Sequence, residues 1–191
     1  MKALVYGHSQ SGGMGLDLEK ALKKAGYSVT RVTKVGWNDA KLVQYLPELP
    51  AGPYDRVFLY VGGNSDAPTP TAIGQLVQAF DGKAVVILPP VNTERTKKGG
   101  AEATAALVAK NEGNRAALAG KVRVYTFSGG LSDFEPDQIH MRPGSAASKA
   151  AAQAIVGDLQ APAVKAGFDP VLFVGLGLIA AVALALWARR R

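Results

Sequence analysis

Short runs rich in aliphatic and β-branched residues alternate along most of the chain with segments whose apolar residues recur at helical spacing. The runs cover residues 2–6, 28–33, 56–61, 84–88 and 121–127. They are predicted as strands, because they are too short for buried helices and Gly, Pro or polar clusters close them. Between them the pattern predicts helices near 15–25, 39–46 and 71–80, within 100–118, and near 145–159. In Val57-Phe58-Leu59-Tyr60-Val61 successive positions are apolar, so both faces of the sheet need cover. Strands of this kind alternating with helices predict an α/β fold. Its form is a three-layer α/β/α sandwich on a five-stranded parallel sheet, with right-handed crossovers and the flavodoxin-like order 2-1-3-4-5. Residues 1–160 are assigned to this domain, and residues 161–169, with Pro162 and Gly167, to a linker.

The pattern changes in residues 170–191. Between Val171 and Ala188 there is no charge, and apolar or small residues fill every position but Trp187. At ~1.5 Å per residue this run matches a bilayer core of about 30 Å, so a C-terminal transmembrane helix is expected. Trp187 and the arginines 189–191 fit as interfacial and cytoplasmic anchors. The alternative is a helix that docks into a hydrophobic protein assembly. The positive-inside rule places the folded domain across the membrane from those arginines. The apolar start of the chain, however, is too short for a secretory signal. A tail anchor with a cytoplasmic domain, a viral membrane and a helix inside a larger particle each reconcile the two, and the sequence leaves them open.

Composition narrows the chemistry. The chain has 191 residues and a net charge of +7, but three of the positive charges are the terminal arginines. The rest form no basic stripe interleaved with aromatics, so nucleic acid is not an expected partner. Cysteine is absent, and the two histidines, His8 and His140, lack the carboxylate spacing of a zinc site.

In an open parallel sheet, ligands bind beyond the carboxyl ends of the strands. There the sequence places Gly7-His8-Ser9-Gln10-Ser11-Gly12-Gly13, then Gly36-Trp37-Asn38-Asp39, then Gly62-Gly63-Asn64-Ser65-Asp66, and finally the stretch from Asp133 to His140. One rim thus gathers a serine, glycine backbone, an asparagine amide and an Asp/His pair, the set that acyl transfer needs. A serine hydroxyl requires a base to take its proton, and histidine suits that role at neutral pH. Asp137, three residues before His140, can orient the imidazole. The N–H groups of Ser9 and Gly36 and the amide of Asn64 are the expected oxyanion donors. Ser11 is the fallback nucleophile, Asp133 and Glu135 are fallback acids, and His8 is read as a rim residue.

These residues resemble the SGNH (GDSL-like) hydrolase superfamily. Gly7-His8-Ser9 stands where that family has Gly-Asp-Ser, and Gly36 stands at its second block. Gly63-Asn64 stands at the third and Asp137-x-x-His140 at the last. Residues 85–92 also resemble the family's fourth strand and the loop after it. His8 departs from the usual aspartate, and Ser65 stands where an aspartate is common after the asparagine. The resemblance implies a serine esterase with Ser9 as nucleophile, His140 as base and Asp137 as its orienting acid, working without metal or organic cofactor. No large lid separates the strands, so a small acyl ester, acetyl above all, is favoured. An O-acetylated cell-envelope polysaccharide is suggested by analogy. Two other classes stay open: a non-catalytic structural component of a membrane or viral particle, and a flavodoxin-like flavin-binding module with Trp37 over the ring.

Overall fold

The computed structural model of the protein describes residues 1–160, and everything here concerns those residues. The expected linker, membrane helix and basic tail lie outside them. Among the described residues no helix is long and apolar enough to cross a membrane.

Five parallel strands form the main sheet: β1 (Lys2–Gly7), β2 (Ser28–Thr33), β3 (Arg56–Tyr60), β4 (Ala84–Ile87) and, later in the chain, Arg123–Tyr125. Two shorter strands, β5 (Val91–Asn92) and β7 (Ser128–Gly129), flank the last of these, which is therefore β6. The main sheet runs β2-β1-β3-β4-β6, the anticipated order. The helices are α1 (Met14–Lys24), α2 (Asp39–Gln44), α3 (Pro70–Ala79), α4 (Gly100–Leu118) and α5 (Ala146–Gln160).

Alternation along each strand divides the core into two layers. Ala3, Val5, Phe58, Tyr60, Val85 and Ile87 pack with Met14, Leu18 and Leu22 of α1 and with Ala151, Ala152 and Ile155 of α5. Leu4, Tyr6, Val57, Leu59, Val61, Val86 and Leu88 pack with Leu42 of α2, Ile73 and Leu76 of α3 and Leu118 of α4. Full burial of one such aliphatic side chain stabilises the fold by about 1.5–3 kcal/mol, which is why every central strand is apolar on both faces.

The sequence pattern did not indicate β5 and β7. They pair in parallel, Val91 with Ser128 and Asn92 with Gly129, just beyond the ends of β4 and β6. Their hydrogen bonds continue the β4–β6 ladder past Pro89 and Pro90, with Leu88 N–H on the Tyr125 carbonyl and Val91 N–H on that of Phe127. This extension holds the two loops that wall one side of the rim.

Helix α5 runs the full height of the sheet. At its start Ser148 donates to Asp17 in the first turn of α1 at 2.6 Å. At its far end Leu159 lines a hollow with Arg56, Ala84 and Arg123, the first residues of β3, β4 and β6.

Candidate active site

At the carboxyl end of β1 the chain turns sharply. Gly7 lies so close to β3 that a Cβ there would sit 2.1 Å from the Tyr60 carbonyl oxygen, so only glycine fits. His8 N–H still donates to that carbonyl at 3.1 Å, and a 3-10 turn, Ser9–Ser11, follows at once. Ser9 is thereby lifted to the rim at the first position of the turn, where its N–H has no acceptor within the turn.

His140 arrives from the other end of the chain on a closed loop. Phe134 and Met141 pair in an antiparallel bridge, and both are buried in the core beneath. Glu135 N–H donates to the His140 carbonyl at 2.8 Å, and Gln138 N–H to the Glu135 carbonyl at 2.8 Å. The segment Asp137–His140 forms the tip of this loop. Gln138 adopts φ +60° there, a left-handed conformation uncommon for a residue other than glycine.

At the rim the three side chains meet in one hydrogen-bonded series. Ser9 Oγ lies 2.8 Å from His140 Nε2. His140 Nδ1 lies 2.6 Å from Asp137 Oδ2. The other carboxylate oxygen, Oδ1, accepts from the N–H groups of Ile139 at 2.9 Å and His140 at 3.0 Å. Burial acts to raise the Asp137 carboxyl, but the hydrogen bonds from the His140 ring and from these two N–H groups outweigh it and hold the pKa down to about 2. Asp137 is therefore ionised at neutral pH and accepts the proton on Nδ1. Nε2 is then left as the acceptor for the serine hydroxyl.

Two glutamines that sequence reasoning passed over hold this geometry. Gln10, next to Ser9 and buried, donates from Nε2 to the Ile139 carbonyl at 2.9 Å and accepts from Met141 N–H at 3.4 Å. Its amide therefore grips the backbone on both sides of His140. Gln138 accepts on Oε1 from the N–H groups of Thr96 and Lys97, both at 2.8 Å, and ties the β5–α4 loop to the same tip.

The site opens into a cleft of about 470 Å³ between the β3–α3 loop, the tip loop and α4, with Pro89, Ala103, Ala106 and Leu107 among its apolar lining. Buried polar groups fix its walls. Asp39 accepts from Gly62 N–H at 2.9 Å and from the Thr69 hydroxyl. Lys110 donates to the carbonyls of Gly63 at 3.2 Å and Ser65 at 2.9 Å. Asn111 donates to the Pro89 carbonyl, and Asn114 accepts from Thr69 N–H. The only sequence-level sign of this was polar residues at 110, 111 and 114, clustered on one side of an Ala-rich helix.

The remaining expected residues are distributed unevenly. Asn64 lines the cleft and directs one amide N–H to the Trp37 carbonyl at 2.7 Å, leaving the other. Gly36 is exposed and lies outside the cleft lining, in a left-handed turn with φ +76°. Ser11 is fully buried and bonded to the His8 carbonyl and the Thr33 hydroxyl, away from the rim. Asp133 accepts from the N–H groups of Gly130 and Ala147 and anchors the base of the tip loop. Glu135 contributes its N–H to that loop. Trp37 packs edge-on against Tyr45, with Lys34 over both rings, and does not line the cleft. His8, expected at the rim, is only 1% exposed and forms the floor beneath Gly63.

No protein-family model matches the chain, and no curated protein matches it in sequence. Solved structures do match in fold. An acetyl xylan esterase, AlAXEase, superposes with a TM-score of 0.60 at 15% identity, over 83% of this chain and 100% of that one. An extracellular lipase from Streptomyces rimosus gives 0.52 at 13% identity, over 83% and 99%. An alcohol dehydrogenase from the archaeon Thermococcus sibiricus gives 0.56 at 14% identity, over 91% and 96%. At these identities the likeness is one of fold, a parallel sheet between helical layers, which esterases, lipases and dehydrogenases share.

Proposed function

We propose that the protein is a serine hydrolase of the SGNH type that cleaves a small acyl ester through an acyl-enzyme. The observation that supports this most is the series Ser9 Oγ, His140 Nε2, His140 Nδ1, Asp137 Oδ2, with contacts of 2.8 and 2.6 Å. In this reading Ser9 Oγ attacks the ester carbonyl carbon while its proton passes to His140 Nε2, and Asp137 stabilises the imidazolium. The Ser9 N–H and the free N–H of the Asn64 amide donate to the oxyanion of the tetrahedral intermediate; Gly36, outside the cleft, has no part in it. Collapse breaks the bond to the alcohol, which leaves with the proton from His140. Water then repeats the sequence on the acylated Ser9 and releases the acid.

A cleft of about 470 Å³ suits an acetyl-sized group with part of its alcohol better than a long lipid chain. An acetylated polysaccharide is the natural ester we favour, the acetyl xylan esterase of similar fold being one precedent. We read the apolar stretch between Val171 and Ala188 as the anchor that places the domain at a membrane.

The test is labelling with a fluorophosphonate probe and hydrolysis of p-nitrophenyl acetate. Both are expected in the wild-type chain, and both should vanish in Ser9→Ala. A folded protein that leaves Ser9 unlabelled and the ester intact ends this reading.

A further inference from the structure

Among the described residues, one cation of the cleft lining has no carboxylate partner. Among its lining residues the side chains with formal charge are Arg95, Lys110, Asp66 and the partly exposed His140 when protonated. Lys110 is spoken for: its ammonium sits on two carbonyls, and although burial lowers its pKa, the nearby carboxylates of Asp39 and Asp66 oppose that shift. Arg95 differs. It is partly buried, and no carboxylate pairs with it among the described residues. Its neighbour Glu94 is turned to Leu131 N–H, which it accepts at 2.6 Å.

The guanidinium is also held still. Nε donates to the Lys97 carbonyl at 3.0 Å and one terminal nitrogen to the Lys98 carbonyl at 2.7 Å. The loop providing those carbonyls is bound through the N–H groups of Thr96 and Lys97 to Gln138, between Asp137 and His140. Arg95 therefore keeps a fixed place relative to the reacting groups. A guanidinium has five N–H donors, and two are used here. The others, on a planar cation partly removed from water, suit a carboxylate or phosphate oxygen better than a neutral hydroxyl.

We propose that the ester this site takes is anionic, bearing a carboxylate or phosphate near the scissile bond, and that Arg95 selects it. This names the substrate class of the same cleft and rests on the serine-hydrolase reading. The chemistry does not depend on whether the anion belongs to an acidic sugar or to a small metabolite.

Two acetyl esters of matched size make the test: 3-acetoxybenzoate, which is charged, and 3-acetoxybenzamide, which is not. The wild-type chain should favour the benzoate in kcat/KM. That preference should shrink as salt is added, and Arg95→Met should lower the ratio of the two about tenfold, the usual worth of a charge-assisted hydrogen bond. Arg95→Lys, which keeps the charge and loses the fork, should fall between. Equal kcat/KM for the two esters in wild type, or a ratio that Arg95→Met does not change, overturns the inference while leaving the hydrolase standing. Turnover of neither ester removes both. If Arg95→Met does not fold, the wild-type ratio and its salt dependence decide the matter alone.

Discussion

The two histidines of the chain border the same cleft and have opposite circumstances. His8 sits at the end of β1 as part of the floor, its ring so close to Gly63 that a Cβ there would lie 2.5 Å from it. Among the described residues its Nε2 has no hydrogen-bond partner, and burial above all drives its pKa down to about 4, so it is neutral through the physiological range. His140 stands at the tip of a loop with about a third of its side chain exposed, and both ring nitrogens have partners, a carboxylate on one side and a hydroxyl on the other. The imidazole that can move a proton is the one placed between an acid and an alcohol. The other is buried beneath Gly63. The supports differ likewise: the floor is held by the strand ladder, the tip by side chains from distant parts of the chain.

Changes at the two sites should separate these roles. The largest effect is expected from His140→Ala, which should lower kcat for p-nitrophenyl acetate by about 10⁴- to 10⁶-fold, measured beside a thermal melt that stays near wild type. If His8→Gln proves as damaging, the assignment of roles is reversed. Next comes Asp137→Asn, with a loss in kcat of about 10⁴-fold and little change in KM, because the imidazole is left in the wrong tautomer. Gln10→Met should remove the grip on Ile139 and Met141 and cost up to about a hundredfold in kcat at constant KM. NMR of the His140 Nδ1 proton should show it weakened by exchange in that variant, a change that loss of packing alone does not produce.

The smallest effect concerns stability and acid. His8 has a folded pKa below the unfolded value of 6.5, so the unfolded state binds the proton first. The melting temperature should therefore fall as pH drops from about 6.5 toward about 4, and His8→Gln, less stable at pH 7 for lost packing, should flatten that slope. Asp137, lowered from 3.8 to about 2, contributes stability that is complete above its unfolded pKa and is lost as pH falls through about 2. Asp137→Asn should flatten only this second, more acidic window. Circular dichroism melts across the two ranges distinguish floor from tip.

The strands and the rim were readable because their signals are local. An apolar run such as residues 57–61 declares a doubly covered strand, and polar clusters directly after strands fall at one edge of a parallel sheet. Ser9, Asp137 and His140 stood out for that reason. Gln10, Asp39 and Gln138 did not, because each has a partner in another loop and nothing nearby in sequence marks it. Strands β5 and β7 are two residues each, too short to show a period. Gly36 was placed by order along the chain alone, and a turn's position in order says little about which way its N–H groups face.

The course of α5 has a consequence for what the cleft can meet. Its last turn lies beside the first residues of β3, β4 and β6, at the pole opposite Ser9. A surface that met the domain at this pole would leave the mouth turned outward. Whatever lay in the space above such a surface could enter the cleft, and whatever lay beneath it could not.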